Sequence, residues 1–152
     1  MGDSGKRYWV LIVEDDPQQV LLIRAVFAHF DANAHISVVN SAEAAIVQIA
    51  GPWAPWTDTK AGRAELPDVI VLDIEMAGMG GLGFLRWYSG DLQLAHVPVV
   101  VFTFSRDPEL ERLCYSLGAR EFKVKSADYR ELVPVVPGVL DRWQPQERQS
   151  GA

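Results

Sequence analysis

The sequence predicts an α/β domain: a parallel five-stranded sheet covered by helices on both faces. Short unbroken apolar runs alternate five times with longer stretches whose apolar residues recur at helical spacing. The runs themselves do not alternate apolar with polar. Val69-Ile70-Val71-Leu72 reads as a strand buried on both faces. That run ends in Asp73, and the earlier run Val10-Leu11-Ile12-Val13 ends in Glu14, Asp15 and Asp16. Open parallel sheets bind ligands outside the carboxyl ends of their strands. Two strands that deliver acids to the same end would build one acidic pocket.

Each element follows from local signals. Met1 to Arg7 is small and polar and reads as a flexible terminus, which leaves 8–143 as the domain and 144–152 as a polar tail. Tyr8 to Val13 is the first strand. Asp16-Pro17 supplies an N-cap and a proline at the first helical position, and Val20, Ile23, Phe27 and Phe30 follow at helical spacing. His35 to Val39 is the second strand. Ser41 caps a helix with Ala42, Ala45, Ile46 and Ile49 on one face. Gly51 to Leu66, rich in Pro, Trp, Gly and Thr, is long for a connection and reads as an insertion. Asp68 to Leu72 is the third strand, Asp73 to Gly81 a turn, and Leu82 to Ser89 a short helix. Pro98 to Thr103 is the fourth strand. Asp107-Pro108 repeats the cap-plus-proline device, and the stripe Leu110, Leu113, Cys114 and Leu117 stops at Gly118. Glu121 to Val124 is the fifth strand. Tyr129, Leu132, Val136, Leu140 and Trp143 mark a last helix, kinked or broken by Pro134 and Pro137.

Composition narrows the function. The chain has 152 residues, 49% of them hydrophobic, enough for one domain with a core and not for a second. The net charge is −6, with no basic cluster beyond Lys123 and Lys125, so nucleic acid is not an expected partner. The single cysteine, Cys114, excludes an internal disulfide framework and a cysteine-based zinc site, and its place in an apolar stripe makes it buried and inert. No apolar run is long enough for a membrane span, and Met1 to Arg7 lacks the apolar core of a signal peptide. A cytoplasmic protein is expected.

Side by side, the strands would bring Glu14 and Asp15, Asp73, Thr103 and Lys125 to one edge. Like charges that close cannot all ionise without a counter-charge. A hard divalent cation would supply it, and all-oxygen donors suit Mg²⁺, which favours one or two carboxylates plus phosphate oxygens. That points to phosphoryl chemistry. A lysine at the rim can pair with one phosphoryl oxygen and a threonine hydroxyl can donate to another. Asp73 is then the candidate acceptor, because an aspartate can form an acyl phosphate.

The arrangement resembles the receiver domains of two-component response regulators. Glu14-Asp15 follows the first strand, Leu72-Asp73-Ile74-Glu75-Met76 is similar to the phosphoacceptor motif, Thr103 ends the fourth strand and Lys125 the fifth. The resemblance spans about Tyr8 to Trp143. It implies a flavodoxin-like sheet of order 2-1-3-4-5. It implies Asp73 as phosphoacceptor, with Asp15 and Asp73 binding Mg²⁺ directly. The main-chain carbonyl of Glu75 would be a third ligand, and Glu14 would act through water. Phe122 stands where the family keeps an aromatic switch residue beside the Thr103 switch. The implied partners are a sensor histidine kinase and a downstream protein target or phosphotransfer protein. The long 51–66 stretch, Lys125-Ser126 and the ending at Trp143 resemble receivers that partner bacterial phytochrome kinases. Departures are Ala77 and Ser126, where the family usually has proline, and Phe104, where it usually has a small residue. A cis bond before serine would cost about 3 kcal/mol, so a trans bond is expected. Phe104 would border the entrance to the pocket as a gate.

Simpler readings compete. Asp16 is a helix cap. Thr103 and Lys125 gain weight only from the constellation, and Phe122 on residue type alone reads as core. Gly78-Met79-Gly80-Gly81-Leu82-Gly83 fits G-x-G-x-x-G. It follows the third strand rather than the first, and a pyrophosphate there would face Asp73 and Glu75, so a flexible turn is the expectation. Asp73-Ile74-Glu75 also echoes the opening motif of haloacid dehalogenase phosphatases. In that family the nucleophile lies on the first strand, whereas here the acid pair comes first. A pseudo-receiver acting only as a binding module is opposed by the intact acid set and Lys125. Output is expected through binding or phosphotransfer, with a homodimer built on the fourth and fifth helical units.

Overall fold

The computed structural model describes residues 9–30, 35–50, 57–58, 63–64 and 66–125. Their order is β1 (Trp9–Val13), α1 (Pro17–Phe30), β2 (His35–Val39), α2 (Ala42–Ala50), β3 (Thr57–Asp58), β4 (Arg63–Ala64), β5 (Val69–Asp73), α3 (Gly80–Ser89), a 3₁₀ turn (Leu92–Leu94), β6 (Val99–Thr103), α4 (Pro108–Ser116) and β7 (Glu121–Val124). The main sheet is parallel throughout, ordered β2-β1-β5-β6-β7. That is the 2-1-3-4-5 order of the five core strands. The expected helix Tyr129–Trp143, the residues after Lys125 and the termini lie outside the described residues.

Strand pleating divides the core. Val10, Ile12, Val69, Val71, Val100 and Phe102 pack under α1 with Ile23, Val26 and Phe27. Leu11, Val13, Ile70, Leu72, Val99 and Val101 pack with Ala42, Ala45, Ile49, Phe84, Leu85 and Cys114 from α2, α3 and α4. Successive residues of one strand thus serve opposite layers, which is why the runs are apolar without a gap. On α1 the buried stripe is Gln19, Ile23, Val26 and Phe27, with Val20 only half-buried. A 3.6-residue period turns Gln19 toward the sheet with Ile23. Burial pushes the Cys114 thiol up to about 11, which leaves it unreactive as expected.

The caps form as expected. Asp16 Oδ1 accepts from Gln18 N at 3.0 Å, Ser41 Oγ from Ala44 N at 3.0 Å, and Asp107 Oδ1 from Glu109 N at 3.0 Å. Gly118 ends α4 with φ of 107°. β5 and β6 each begin one residue later than expected, at Val69 and Val99, and three further differences have structural causes. β5 runs through Asp73, because Asp73 pairs with Phe102 of β6. Within the 51–66 stretch, Thr57–Asp58 pairs antiparallel with Arg63–Ala64, so the insertion is not wholly irregular. And α3 begins at Gly80, two residues early.

That early start is a matter of space. Gly78 and Gly80 both have φ of 74°, which turns the chain sharply after β5. Glu43 Oε2 on α2 accepts the Met79 N–H at 2.9 Å and holds the turn, so a carboxylate already occupies the donor that a dinucleotide phosphate would need. Gly81 then lies so close to β5 that a Cβ there would stand 2.3 Å from the Asp73 carbonyl oxygen and 2.6 Å from Ile74 Cα. At Gly83 the added Cβ would stand 2.1 Å from Cγ of Met79, an exposed side chain that can turn away into solvent where backbone cannot. Gly81→Ala is therefore expected to destabilise by about 1–3 kcal/mol through overpacking. Gly83→Ala should be neutral or favourable by helix propensity. Urea midpoints of the two variants check this, and equal midpoints would count against a close approach at Gly81.

Candidate functional site

The sheet register assembles the site. β1, β5, β6 and β7 end within two residues of one another, and the Lys125 N–H donates to the Thr103 carbonyl at 2.6 Å. Glu14, Asp15, Asp73, Thr103 and Lys125 thus meet at one sheet edge, as expected. Glu14, Asp15 and Asp73 each offer a carboxylate oxygen, all within 4.8 Å of one another. Asp15 is exposed, whereas Glu14 and Asp73 are each only 2% exposed.

Lys125 is not at the rim. It is 6% exposed, and its Nζ lies 2.8 Å from Glu14 Oε1 and 3.2 Å from Asp73 Oδ1. One ammonium thus bridges two buried carboxylates. Burial pushes the Glu14 carboxyl up to about 7, against the pull of Lys125. Burial raises Asp73 as well, again opposed by Lys125 and by the Glu75 N–H that donates to Asp73 Oδ1 at 3.1 Å. Among the described residues a single cation, Lys125, faces three clustered acids, so the donor set is short of positive charge. Its all-oxygen chemistry fits a hard divalent ion.

Thr103 is fully buried, and its hydroxyl donates to Glu75 Oε2 at 2.5 Å. Its Oγ1 accepts the Ser105 N–H at 3.1 Å. The Phe104 N–H donates to Glu75 Oε1 at 3.4 Å. The sequence suggests Glu75 as a main-chain metal ligand and, with Ser105, as a border of the path by which water reaches Asp73, but not as the acceptor for Thr103 and Phe104. The β5–β6 register brings the two segments together: Asp73 pairs with Phe102, and Glu75 and Thr103 follow just beyond that pair. Phe104 itself is 53% exposed, and Lys125 Nζ sits 5.1 Å from its ring centroid. Phe122, paired with Val101, packs half-buried against the core layer of α2, α3 and α4.

Comparison with known proteins follows from this geometry. The phosphorylated cyanobacterial phytochrome response regulator RcpA is similar, with a TM-score of 0.77, 23% identity, and coverage of 91% of this chain and 94% of that one. Response regulator RPA3017, in red light signaling of R. palustris, gives a TM-score of 0.75 at 24% identity, covering 90% and 94%. The Mn²⁺-bound form of response regulator Rcp1 gives 0.74 at 21% identity, covering 91% and 96%. These likenesses establish the fold. Among curated proteins, PilH of Pseudomonas aeruginosa is 32% identical over 79 residues, 51% of this chain and 64% of its own length. A protein-glutamate methylesterase/protein-glutamine glutaminase of Cereibacter sphaeroides is 36% identical over 103 residues, 66% of this chain and 27% of its own length. This chain therefore spans less than two thirds of either curated relative. The model of the response regulator receiver domain matches residues 10–136, nearly the whole chain, and this protein belongs to that family.

Proposed function

We propose that the chain accepts a phosphoryl group at Asp73 from a phosphohistidine on a sensor histidine kinase and signals through the protein contacts that follow or by passing the group on. The observation that carries this reading is the buried Lys125 ammonium bridging Glu14 and Asp73 beside the Thr103 hydroxyl. Asp73 Oδ attacks phosphorus, the phosphorus–nitrogen bond breaks, and the electron pair returns to the imidazole. The product is an acyl phosphate. Lys125 is placed to pair with a phosphoryl oxygen, and Thr103 to donate to another. Mg²⁺ would be held by Asp15, Asp73 and the Glu75 carbonyl, with Glu14 acting through water, and would neutralise charge on the transferring group. Thr103 and Phe122 would form the switch that reports the modification. Solved relatives described by phytochrome or red-light signalling support a phytochrome-class kinase as donor. A homodimer on the fourth and fifth helical units remains part of the reading; of these, α4 is described and 129–143 lies outside the described residues.

Intact mass after treatment with acetyl phosphate and Mg²⁺ tests the reading. One phosphoryl group per chain, lost on adding EDTA beforehand, is the expected result. Turnover of phosphomonoesters without a retained adduct would instead indicate a phosphatase.

Phe104 bears on the lifetime of that adduct. Its ring is half exposed beside the Lys125 ammonium, which supports a gate over a core residue. Hydrolysis needs water in line with the phosphorus–aspartate bond. Phe104→Ala is expected to speed both uptake from small donors and loss of the group, each up to about tenfold. Stability should fall by no more than about 1 kcal/mol. Unchanged rates would remove the gating role.

A further inference from the structure

Thr103 Oγ1 has one proton to donate, and Glu75 Oε2 already takes it. The neighbouring Phe104 N–H points to the other oxygen of the same carboxylate. Glu75 is itself exposed, yet its side chain reaches inward to a hydroxyl that is fully buried. Its backbone is fixed at the same time, because the Glu75 N–H is bonded to Asp73 Oδ1. A two-residue step from Asp73 thus ties the main chain to the acceptor and lays a carboxylate across the end of β6. The donors it covers directly follow Phe102, the β6 residue paired with Asp73.

We propose that the Glu75 carboxylate is a resident anion, occupying in the unmodified chain the donors that the phosphoryl group on Asp73 requires. An incoming anion must displace it from Thr103, since two acceptors cannot share one hydroxyl proton. Glu75 then swings outward, which its exposure allows, and Thr103 turns to the new group. Glu75 is in this sense a positioning residue: it sets how tightly the phosphoryl group is held without touching phosphorus. The inference rests on the phosphoacceptor reading and deepens it.

Beryllofluoride, an anion that adds to a carboxylate as a phosphoryl mimic, is the probe, with Mg²⁺ present. Glu75→Ala is expected to bind it about tenfold more tightly than the wild type, the scale of one charge-assisted hydrogen bond. Glu75→Gln, neutral but still able to accept from Thr103, should lie between. In a Thr103→Val background the gain from Glu75→Ala should shrink to about twofold or less. A gain of equal size in both backgrounds would overturn the proposal, leaving plain charge repulsion. The Phe104 amide resonance supplies a reading free of metal and mimic. It should move upfield in Glu75→Ala, and an unmoved resonance also overturns the contact. Wild-type binding that Glu75→Ala does not tighten overturns the competition alone. Failure of every variant to bind beryllofluoride overturns the phosphoacceptor reading and the competition with it.

Discussion

Asp73→Asn is expected to reduce phosphoryl uptake from one group per chain to none. Asparagine keeps the size of the side chain and loses the anionic oxygen that must attack phosphorus. No other acid takes over. Glu14 is as deeply buried and is held closer to Lys125, at 2.8 Å against 3.2 Å for Asp73, and Asp15 lies in solvent at the pocket edge. The fold should survive, because Lys125 retains Glu14 as partner and the neutral amide removes a like charge from beside it. Intact mass after acetyl phosphate and Mg²⁺, together with an unfolding curve, measures both halves. A hydroxylamine-labile adduct on the variant would show that another carboxylate is the acceptor.

Lys125→Met is expected to be the most destabilising single change at the site. It removes the charge that bridges Glu14 and Asp73 and keeps most of the aliphatic stem. Deleting one partner of a buried ion pair costs about 3–5 kcal/mol, because the remaining charge is left uncompensated. Here two carboxylates are left, so metal-free protein at pH 8 should lose about 3 kcal/mol or more. The pH dependence has a definite sign. Glu14 is already raised from 4.5 to about 7 by burial, so the folded chain holds that proton more tightly than the unfolded chain. A group of that kind favours the fold at low pH, and the contribution is lost as pH rises through its folded value. Removing Lys125 deletes the influence that lowers both Glu14 and Asp73, so both rise further. The deficit should be smaller near pH 5, where Glu14 is protonated, and should grow between pH 6 and 8. Urea unfolding at both pH values measures it. A deficit that is the same at pH 5 and pH 8 would mean that Lys125 acts by packing and not by charge.

Much of this was legible in the residues themselves. The buried strands were visible because a parallel strand covered on both faces needs apolar residues at every position, as in Val69–Leu72. Asp16, Ser41 and Asp107 marked helix starts because capping is a contact within three residues of chain. The acids after two such strands identified the pocket, since parallel strands in one sheet must all end on the same edge. What the linear order hid lies across that edge. Lys125 read as a rim residue, yet the pairing of β7 with β6 carries it under the surface, between Glu14 and Asp73. Glu75 read as a main-chain ligand, yet the β5–β6 register sets its carboxylate on Thr103, 28 residues away in the chain. Periodicity and capping are short-range properties that one segment decides alone. The partner of a buried charge or hydroxyl depends on how distant strands align, and only the assembled sheet determines that alignment.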